Sequence, residues 1–230
     1  MSDFAKHIIG QIKQLLNTDK AKWLENYVKH DIKSFGVGIP EIREIIQKLE
    51  KVNQLSKQPI SLQIEFLDDL MENEFTEPKL AAIIFVQLYW KTNKPTETLQ
   101  LTSKWFDKGW ITDWNVCDWL CVRLLSPLVD KEPQQTIHEF QTWNNSTNLW
   151  KARASLVPFA QCKTIEKHIN IVLTFSECLI KRDERFCKTA VGWVLRQYSK
   201  IDDKIVNGFL ERNKDWTTKE VIKNATKYLN

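Results

Sequence analysis

Small or unusual side chains recur at an interval of 36 residues within the apolar helical segments of this chain. Ala82, Asp118, Ala154 and Ala190 are each 36 residues from the next, and Ala225 falls one residue short of the following step. Each interval has room for two helices. The pattern is typical of a helical-hairpin solenoid, in which each hairpin buries its apolar face against its neighbours. The alternative is accidental spacing in a helical bundle; the agreement of successive steps and of their apolar flanks favours the repeat.

Apolar residues at helical spacing cover nearly the whole chain, for example from Phe4 to Leu16. Five prolines stand where such segments should begin, because a proline in the first helical turn lacks only an N–H that would have no partner there. These are Pro40, Pro59, Pro78, Pro95 and Pro133. Pro158 lies inside the pattern that begins near Trp150, and it should kink or end that helix.

These patterns predict an all-α fold. We expect residues 1–230 to form a single domain, a right-handed solenoid of HEAT-like helical hairpins (an ARM-type superhelix) with a basic concave face. Hydrophobic residues make up 43% of the chain and charged residues 27%, which allows a large core and disfavours disorder. The net charge of +4 permits nucleic-acid binding without by itself arguing for it.

Composition also bears on compartment and cofactors. The first residues lack the apolar core of a secretory signal, and no apolar run approaches the length of a membrane span. Cys117 and Cys121 stand at i and i+4, but no second pair follows at zinc-finger spacing. We therefore expect a reduced, cytoplasmic monomer (nucleoid-associated, or nuclear in a eukaryote) without membrane association, metal or cofactor.

Asp118 stands out because the other repeats place alanine at its position. Its neighbours Val116, Cys117 and Trp119 are apolar, and a carboxylate inside such a helix is costly to bury unpaired. It is either a structural acid paired with a neighbouring helix or a carboxylate presented in a cleft. Asp113 is assigned instead to the N-cap of this helix.

Three further side chains share this register. Trp114 precedes Asp118 by one turn and lies on the same helical face. Arg153 follows one period later, and Trp193 a further period on. Because equivalent positions on successive hairpins of a solenoid line one surface, we expect the four to converge. Arg153 is open to two compatible interpretations, a salt bridge with Asp118 or a contact with a phosphate.

The segments around these residues resemble the AlkD-like DNA glycosylases, HEAT-repeat enzymes that excise alkylated purines. The resemblance spans nearly the whole chain. It includes Glu25-Asn-Tyr27-Val-Lys, the segment from Phe35 to Arg43, and Val191-Gly-Trp-Val-Leu-Arg-Gln-Tyr-Ser-Lys.

The resemblance implies a role for each site residue. Asp118, four residues after Trp114, matches the catalytic carboxylate of the family. Arg153, in Trp-Lys-Ala-Arg, matches an arginine that contacts the DNA backbone near the lesion. Trp193 matches a tryptophan beside the lesion nucleotide, and Tyr27 corresponds to an aromatic residue near the N-terminus. The family holds the lesion on its concave surface without a deep base-flipping pocket.

This chain departs from the family at several positions. Asn115 stands where well-studied members carry a second acid, and Cys117 and Trp119 around Asp118 also differ. The segment beginning at Pro40 keeps one basic residue, Arg43, where a basic pair is common. These departures leave the key acid in place but bear on rate and lesion range.

Basic side chains are expected to supply the remaining affinity for DNA. Three share helices with the proposed site and are predicted to contact phosphates: Lys151, Lys188 and Arg196. Three more repeat at four-residue intervals: Lys219, Lys223 and Lys227. This second group is either a DNA-contacting stripe or a solvated face of the last helix.

The sequence therefore predicts a DNA glycosylase of base excision repair that acts on double-stranded DNA containing alkylated bases. It should remove cationic N7- or N3-alkylated purines, with Asp118 stabilising an oxocarbenium ion. One alternative is a non-catalytic HEAT-repeat module that binds DNA or a protein. Another is a structural adaptor in which Asp118 and Arg153 form only a buried ion pair.

Overall fold

The structure, a computed structural model, describes residues 1–29 and 32–229. Most of these residues are helical, and the β pairing found among them is a single bridge between Lys33 and Phe75. The prediction of an all-α fold is confirmed. The chain divides into two compact units, Met1–Leu120 and Cys121–Asn230. The expectation of a single domain stays a prediction.

The first unit consists of α-helices joined by short connections. They are α1 (Asp3–Gln14), α2 (Thr18–Val28), α3 (Ile39–Asn53), α4 (Ile60–Met71), α5 (Thr76–Phe85), α6 (Pro95–Asp107) and α7 (Trp114–Leu120). A 3₁₀ turn, Leu55–Lys57, precedes α4, and a π-helix, Val86–Trp90, extends α5. Every residue of α5 is buried, and this helix packs against α3, α4 and α7. It is therefore the central helix of the first unit.

The second unit begins with a π-helix, Cys121–Leu125, and continues with seven more α-helices in its described part. They are α8 (Ser126–Lys131), α9 (Pro133–Asn144), α10 (Leu149–Ala154), α11 (Ile169–Ile180), α12 (Arg185–Tyr198), α13 (Asp203–Arg212) and α14 (Lys219–Ala225). Two 3₁₀ turns, Val157–Ala160 and Ile165–His168, connect α10 to α11. α12 packs against α10, α11 and α14 and forms the centre of this unit.

The 36-residue interval corresponds to a helix-to-helix repeat. Ala82, Asp118, Ala154, Ala190 and Ala225 lie on α5, α7, α10, α12 and α14 respectively. In the first unit α5 packs on α7; in the second, α10 packs on α12 and α12 on α14. Equivalent helices thus stack as in a solenoid. The four alanines are 0% exposed, whereas Asp118 is only half-buried.

Prolines mark helix boundaries as predicted. Each of five lies at or within the first turn of a helix: Pro40, Pro59, Pro78, Pro95 and Pro133. Pro158 lies in the 3₁₀ turn after α10, and α10 ends at Ala154. Because Pro158 has no N–H to donate to the Ala154 carbonyl, the helix cannot continue through it.

Residues 1–29 and 32–229 contain neither a candidate membrane span nor a metal cluster. No helix in these stretches is long and apolar enough to cross a bilayer, which takes about 20 apolar residues. Nor do three or more His, Cys, Asp or Glu side chains come together there in a group that could hold a metal ion.

Candidate functional site

The N-terminus of α7 is fixed by two buried charged side chains. Asp113 Oδ1 accepts a hydrogen bond of 2.9 Å from the Val116 backbone N–H and so caps α7, as predicted. Lys79, on α5, donates to the Trp110 carbonyl oxygen in the loop before α7. Burial lowers the pKa of Lys79, and the Asp113 carboxylate opposes that shift. These contacts set where α7 begins relative to α5.

Three aromatic side chains of the first unit form a contiguous cluster. Trp114 Nε1 donates to the Val28 carbonyl oxygen at 3.0 Å, which holds the indole against the end of α2. Tyr27 meets Trp114 edge-on, with ring centroids 5.4 Å apart. Trp23 stacks nearly parallel on Tyr27, with centroids 5.1 Å apart. Trp23 and Tyr27 are 63% and 56% exposed, so they present an aromatic surface to a ligand.

Asp118 lies one turn after Trp114 on the same face of α7. Asp118 is half-buried, on a helix whose remaining residues are largely apolar. The structure therefore brings Tyr27 and Trp114 together and places Asp118 next to Trp114 along the helix. This is the part of the predicted site that belongs to the first unit.

Trp23 is the member of the aromatic cluster that the sequence prediction missed. It precedes Tyr27 by four residues, so the two share one face of α2. The buried residues of α2, Ala21 and Val28, lie on the opposite side of the helix. Core packing is the usual role of a tryptophan, and this chain has ten. The sequence signal that could have revealed Trp23 was its spacing of four residues from Tyr27.

Arg153, in the second unit, is 4% exposed and joins two helices. Its Nη1 donates to the Phe186 carbonyl oxygen at 2.6 Å and to Thr189 Oγ1 at 3.2 Å. Both acceptors lie near the start of α12, so the guanidinium ties α10 to α12. Neither interpretation of Arg153 drawn from the sequence included this role, and the salt bridge with Asp118 and the phosphate contact both stay predictions.

Trp193 and Arg196 lie three residues apart on one face of α12. The indole N–H of Trp193 and the Nε–H of Arg196 are buried and lack a hydrogen-bond partner among the described residues. An unsatisfied buried donor costs about 1–3 kcal/mol.

The lysines predicted to contact DNA differ in their surroundings. Lys188 Nζ donates to the Trp216 carbonyl oxygen at 2.8 Å, and Lys151 Nζ lies 5.9 Å from the centroid of a Trp143 ring. Three are exposed on α14 or just after it: Lys219, Lys223 and Lys227. These exposed lysines need no rearrangement to meet a phosphate, whereas Lys188 is held by a backbone carbonyl.

Charge is divided unevenly between the two units. Residues 1–120 contain 15 Lys and Arg against 17 Asp and Glu, a net charge of −2. Residues 121–230 contain 18 Lys and Arg against 12 Asp and Glu, a net charge of +6. The long-range attraction of this chain for a polyanion therefore originates in the second unit.

Known proteins match this chain in family and in fold. A family model described as DNA alkylation repair enzyme matches residues 8–229. A solved structure described as a predicted DNA alkylation repair enzyme from Enterococcus faecalis has a TM-score of 0.78 at 17% identity, covering 93% of this chain and 96% of that one. The crystal structure of AlkD2 from Streptococcus mutans has a TM-score of 0.59 at 16% identity, and the match covers 93% of this chain and 99% of that one. At these identities the likeness concerns the fold. No curated protein matches the chain.

Proposed function

Because this chain belongs to the DNA alkylation repair enzyme family, we propose that it is a DNA glycosylase that excises cationic N7- and N3-alkylated purines from duplex DNA. One observation carries the proposal. Asp118 is half-buried at the repeat position where four other repeats bury alanine, one turn from Trp114 in an exposed aromatic cluster. A scaffold needs neither a carboxylate at a position that otherwise buries alanine nor exposed stacked rings beside it.

The chemistry requires one ionised carboxylate. Alkylation at N7 or N3 gives the purine a positive charge, so the base leaves as a neutral molecule and needs no proton. The high-energy species is the sugar oxocarbenium ion. Asp118 stabilises that cation electrostatically and orients the attacking water, and its effect is greatest where charge develops in the transition state.

Aromatic side chains complement the cationic nucleotide. A cation over an indole or phenol ring gains about 0.5–2 kcal/mol, depending on how far it is desolvated. Tyr27 and Trp114 supply such rings beside Asp118, and Trp193 supplies a further one from α12. An uncharged lesion lacks this cation–π attraction, and its base would leave as an anion unless a general acid protonated it. Uracil, 8-oxoguanine and ethenoadenine are therefore outside the proposed range.

Affinity for the duplex is assigned mainly to the second unit. Its net charge of +6 and the exposed Lys219, Lys223 and Lys227 attract the phosphate backbone. Arg196, half-buried on α12, is proposed to contact a phosphate through its guanidinium. Such contacts position the duplex without reading its sequence.

The test is a single-turnover assay on a duplex with one N7-methylguanine, followed by detection of the abasic site. Asp118→Asn keeps the shape of the side chain and removes its charge. Loss of one electrostatic partner of a transition state costs roughly 3–4 kcal/mol, so we expect the rate to fall by two to three decades. DNA binding should stay close to that of the parent, because the basic residues are unchanged.

Two controls accompany this assay. Asp215→Asn removes an exposed acid that lies outside the proposed site, and it should cut at the parent rate. A uracil-containing duplex should yield no abasic site with any variant. Cutting by Asp118→Asn at the parent rate would make Asp118 a structural acid. Binding without base release by the parent would favour the non-catalytic DNA-binding module.

A further inference from the structure

Tyr27 is the middle ring of the aromatic cluster, and its orientation depends on its two neighbours. Its ring stacks on Trp23 with the centroids 5.1 Å apart and the planes 6° from parallel. Its second ring contact is with Trp114, at a centroid distance of 5.4 Å and an interplanar angle of 68°. In the part of the chain that the structure describes, no hydrogen bond reaches the Tyr27 hydroxyl. Contacts between rings therefore do the work that a polar anchor does for Trp114.

The two neighbours of Tyr27 are fixed in different ways. Trp114 donates its indole N–H to the Val28 carbonyl oxygen at 3.0 Å, which joins the start of α7 to the end of α2. Trp23 lies one turn before Tyr27 on α2, and side chains four residues apart on a helix lie over one another. Because the stack is nearly parallel, a rotation of the Tyr27 ring out of its plane would break its contact with Trp23.

Trp23 is exposed, and the core of the first unit does not depend on it. Its side chain is 63% exposed and borders an open cleft of about 410 Å³. The buried residues of α2 are Ala21 and Val28. Truncation of Trp23 should therefore leave the core intact and disturb the exposed rings, in particular Tyr27, which is 56% exposed.

We propose that Trp23 is a positioning residue for the lesion. It holds the Tyr27 ring against Trp114, one turn of α7 from Asp118, in the orientation that meets the cationic nucleotide. The inference rests on the proposed glycosylase function and adds a residue to which the family resemblance assigns no role. A ring that is oriented in advance loses less conformational freedom when the lesion binds.

The rings attract a nucleotide that is already cationic before the base leaves, so the loss of Trp23 should weaken binding without slowing the chemical step. Single-turnover excision from the N7-methylguanine duplex, measured over a range of enzyme concentrations, separates the two. Trp23→Ala should raise the half-saturating enzyme concentration about two- to tenfold, as loss of an aromatic pair does, and leave the rate at saturation unchanged. Trp23→Phe keeps a ring over Tyr27 and should restore most of the affinity.

A matched control removes another exposed tryptophan. Trp216, in the second unit, is 42% exposed, and Trp216→Ala should keep the half-saturating concentration of the parent. Thermal melting of each variant verifies that it is folded. A half-saturating concentration for Trp23→Ala equal to that of the parent would overturn the proposal.

A double-mutant cycle shows whether Trp23 acts through Tyr27. Tyr27→Ala should itself raise the half-saturating concentration, and the addition of Trp23→Ala should raise it no further. Effects of the two substitutions that multiply would make Trp23 an independent contact with DNA, and its positioning role would be wrong.

The orientation of Tyr27 can also be followed without DNA. The chain has four tyrosines, so labelling with 3-fluorotyrosine gives few fluorine NMR signals, and Tyr27→Phe assigns the one from Tyr27. The ring current of a stacked indole displaces that signal, and Trp23→Ala should move it toward the position of an unstructured tyrosine. A Tyr27 signal that does not move would overturn the proposal. Absence of excision by the parent would instead overturn the glycosylase function, and the fluorine spectrum would still decide whether Trp23 positions Tyr27.

Discussion

Glu77→Gln should destabilise the chain by about 3–5 kcal/mol, because glutamine cannot replace the acceptor set of the carboxylate. Oε1 of Glu77 accepts from Ser34 Oγ and from the Gly36 and Val37 N–H groups, whereas Oε2 accepts from the Phe35 N–H. Glutamine keeps one acceptor oxygen; with that oxygen in the place of Oε1, its NH₂ group faces the Phe35 N–H. Gly36 N–H keeps a second acceptor, the Ser34 hydroxyl oxygen at 2.9 Å. One other N–H is left unsatisfied in a buried place, which costs about 1–3 kcal/mol. The remaining bonds lose charge assistance, worth about 1 kcal/mol each.

Urea denaturation followed by far-ultraviolet circular dichroism measures this loss. The free energy of unfolding falls by about 2–3 kcal/mol per M of urea, so the urea midpoint of Glu77→Gln should lie about 1–2 M below that of the parent. Glu74→Gln is the matched control. Glu74 lies three residues away and pairs with Lys33 in an exposed salt bridge, whose side chains are 61% and 60% accessible. Loss of an exposed pair should change stability by less than about 1 kcal/mol.

A midpoint for Glu77→Gln equal to that of Glu74→Gln would refute the reasoning. It would mean that packing, not the Glu77 carboxylate, holds the backbone from Phe35 to Val37 in place. A fall in midpoint with a changed slope would indicate an altered denatured state instead, since the slope reports the surface exposed on unfolding.

Two further predictions concern packing and thiol chemistry. Gly192→Leu places a side chain where a Cβ already comes within 3.3 Å of the α14 backbone, and the overpacking should lower Tm by about 5–10 °C in calorimetry. Gly10→Leu is the control, because open space surrounds that position, and it should leave Tm unchanged. Equal Tm values for the two variants would contradict the overpacking argument. Iodoacetamide at pH 8 should label exposed Cys178 in the native protein. Burial raises the pKa of Cys187 to about 11, so mass spectrometry should find it unlabelled until unfolding; rapid native labelling would refute its burial.

Local signals predicted the fold well. Proline positions and helical periodicity depend on residues within one or two turns of each other, so they can be read along the chain. The 36-residue interval also corresponds to the structure, because a repeated hairpin tends to bury the same position each time. Ala82, Ala154 and Ala190 are buried at this position, and half-buried Asp118 is the exception. The end of α10 at Ala154 followed from the chemistry of Pro158 alone.

The relation between two of the site residues could be predicted from the repeat register, and the placement of Tyr27 followed from the family resemblance. Trp114 and Asp118 lie on one face of α7 as expected, because helix geometry fixes their relation. The hydrogen bond from the Gly36 N–H to Glu77, 41 residues away, is a tertiary contact that no spacing rule predicts. The bonds from Arg153 to the start of α12 are equally non-local. Whether Arg153 and Trp193 converge with Asp118 stays a prediction.

The uneven charge of the two units bears on the proposed mechanism. An oxocarbenium ion is a cation, and positive side chains close to it would oppose the stabilisation that Asp118 provides. Charges interact strongly only within a screening length of about 8 Å at physiological salt. A glycosylase of this type must therefore be basic enough to hold DNA while it keeps surplus positive charge out of the surroundings of the acid. The first unit, which contains Asp118, has a net charge of −2, and the basic surplus of +6 belongs to the second unit. Phosphate binding is therefore assigned to the basic surplus of the second unit, whereas the proposed stabilisation of the cation is assigned to the Asp118 carboxylate of the first.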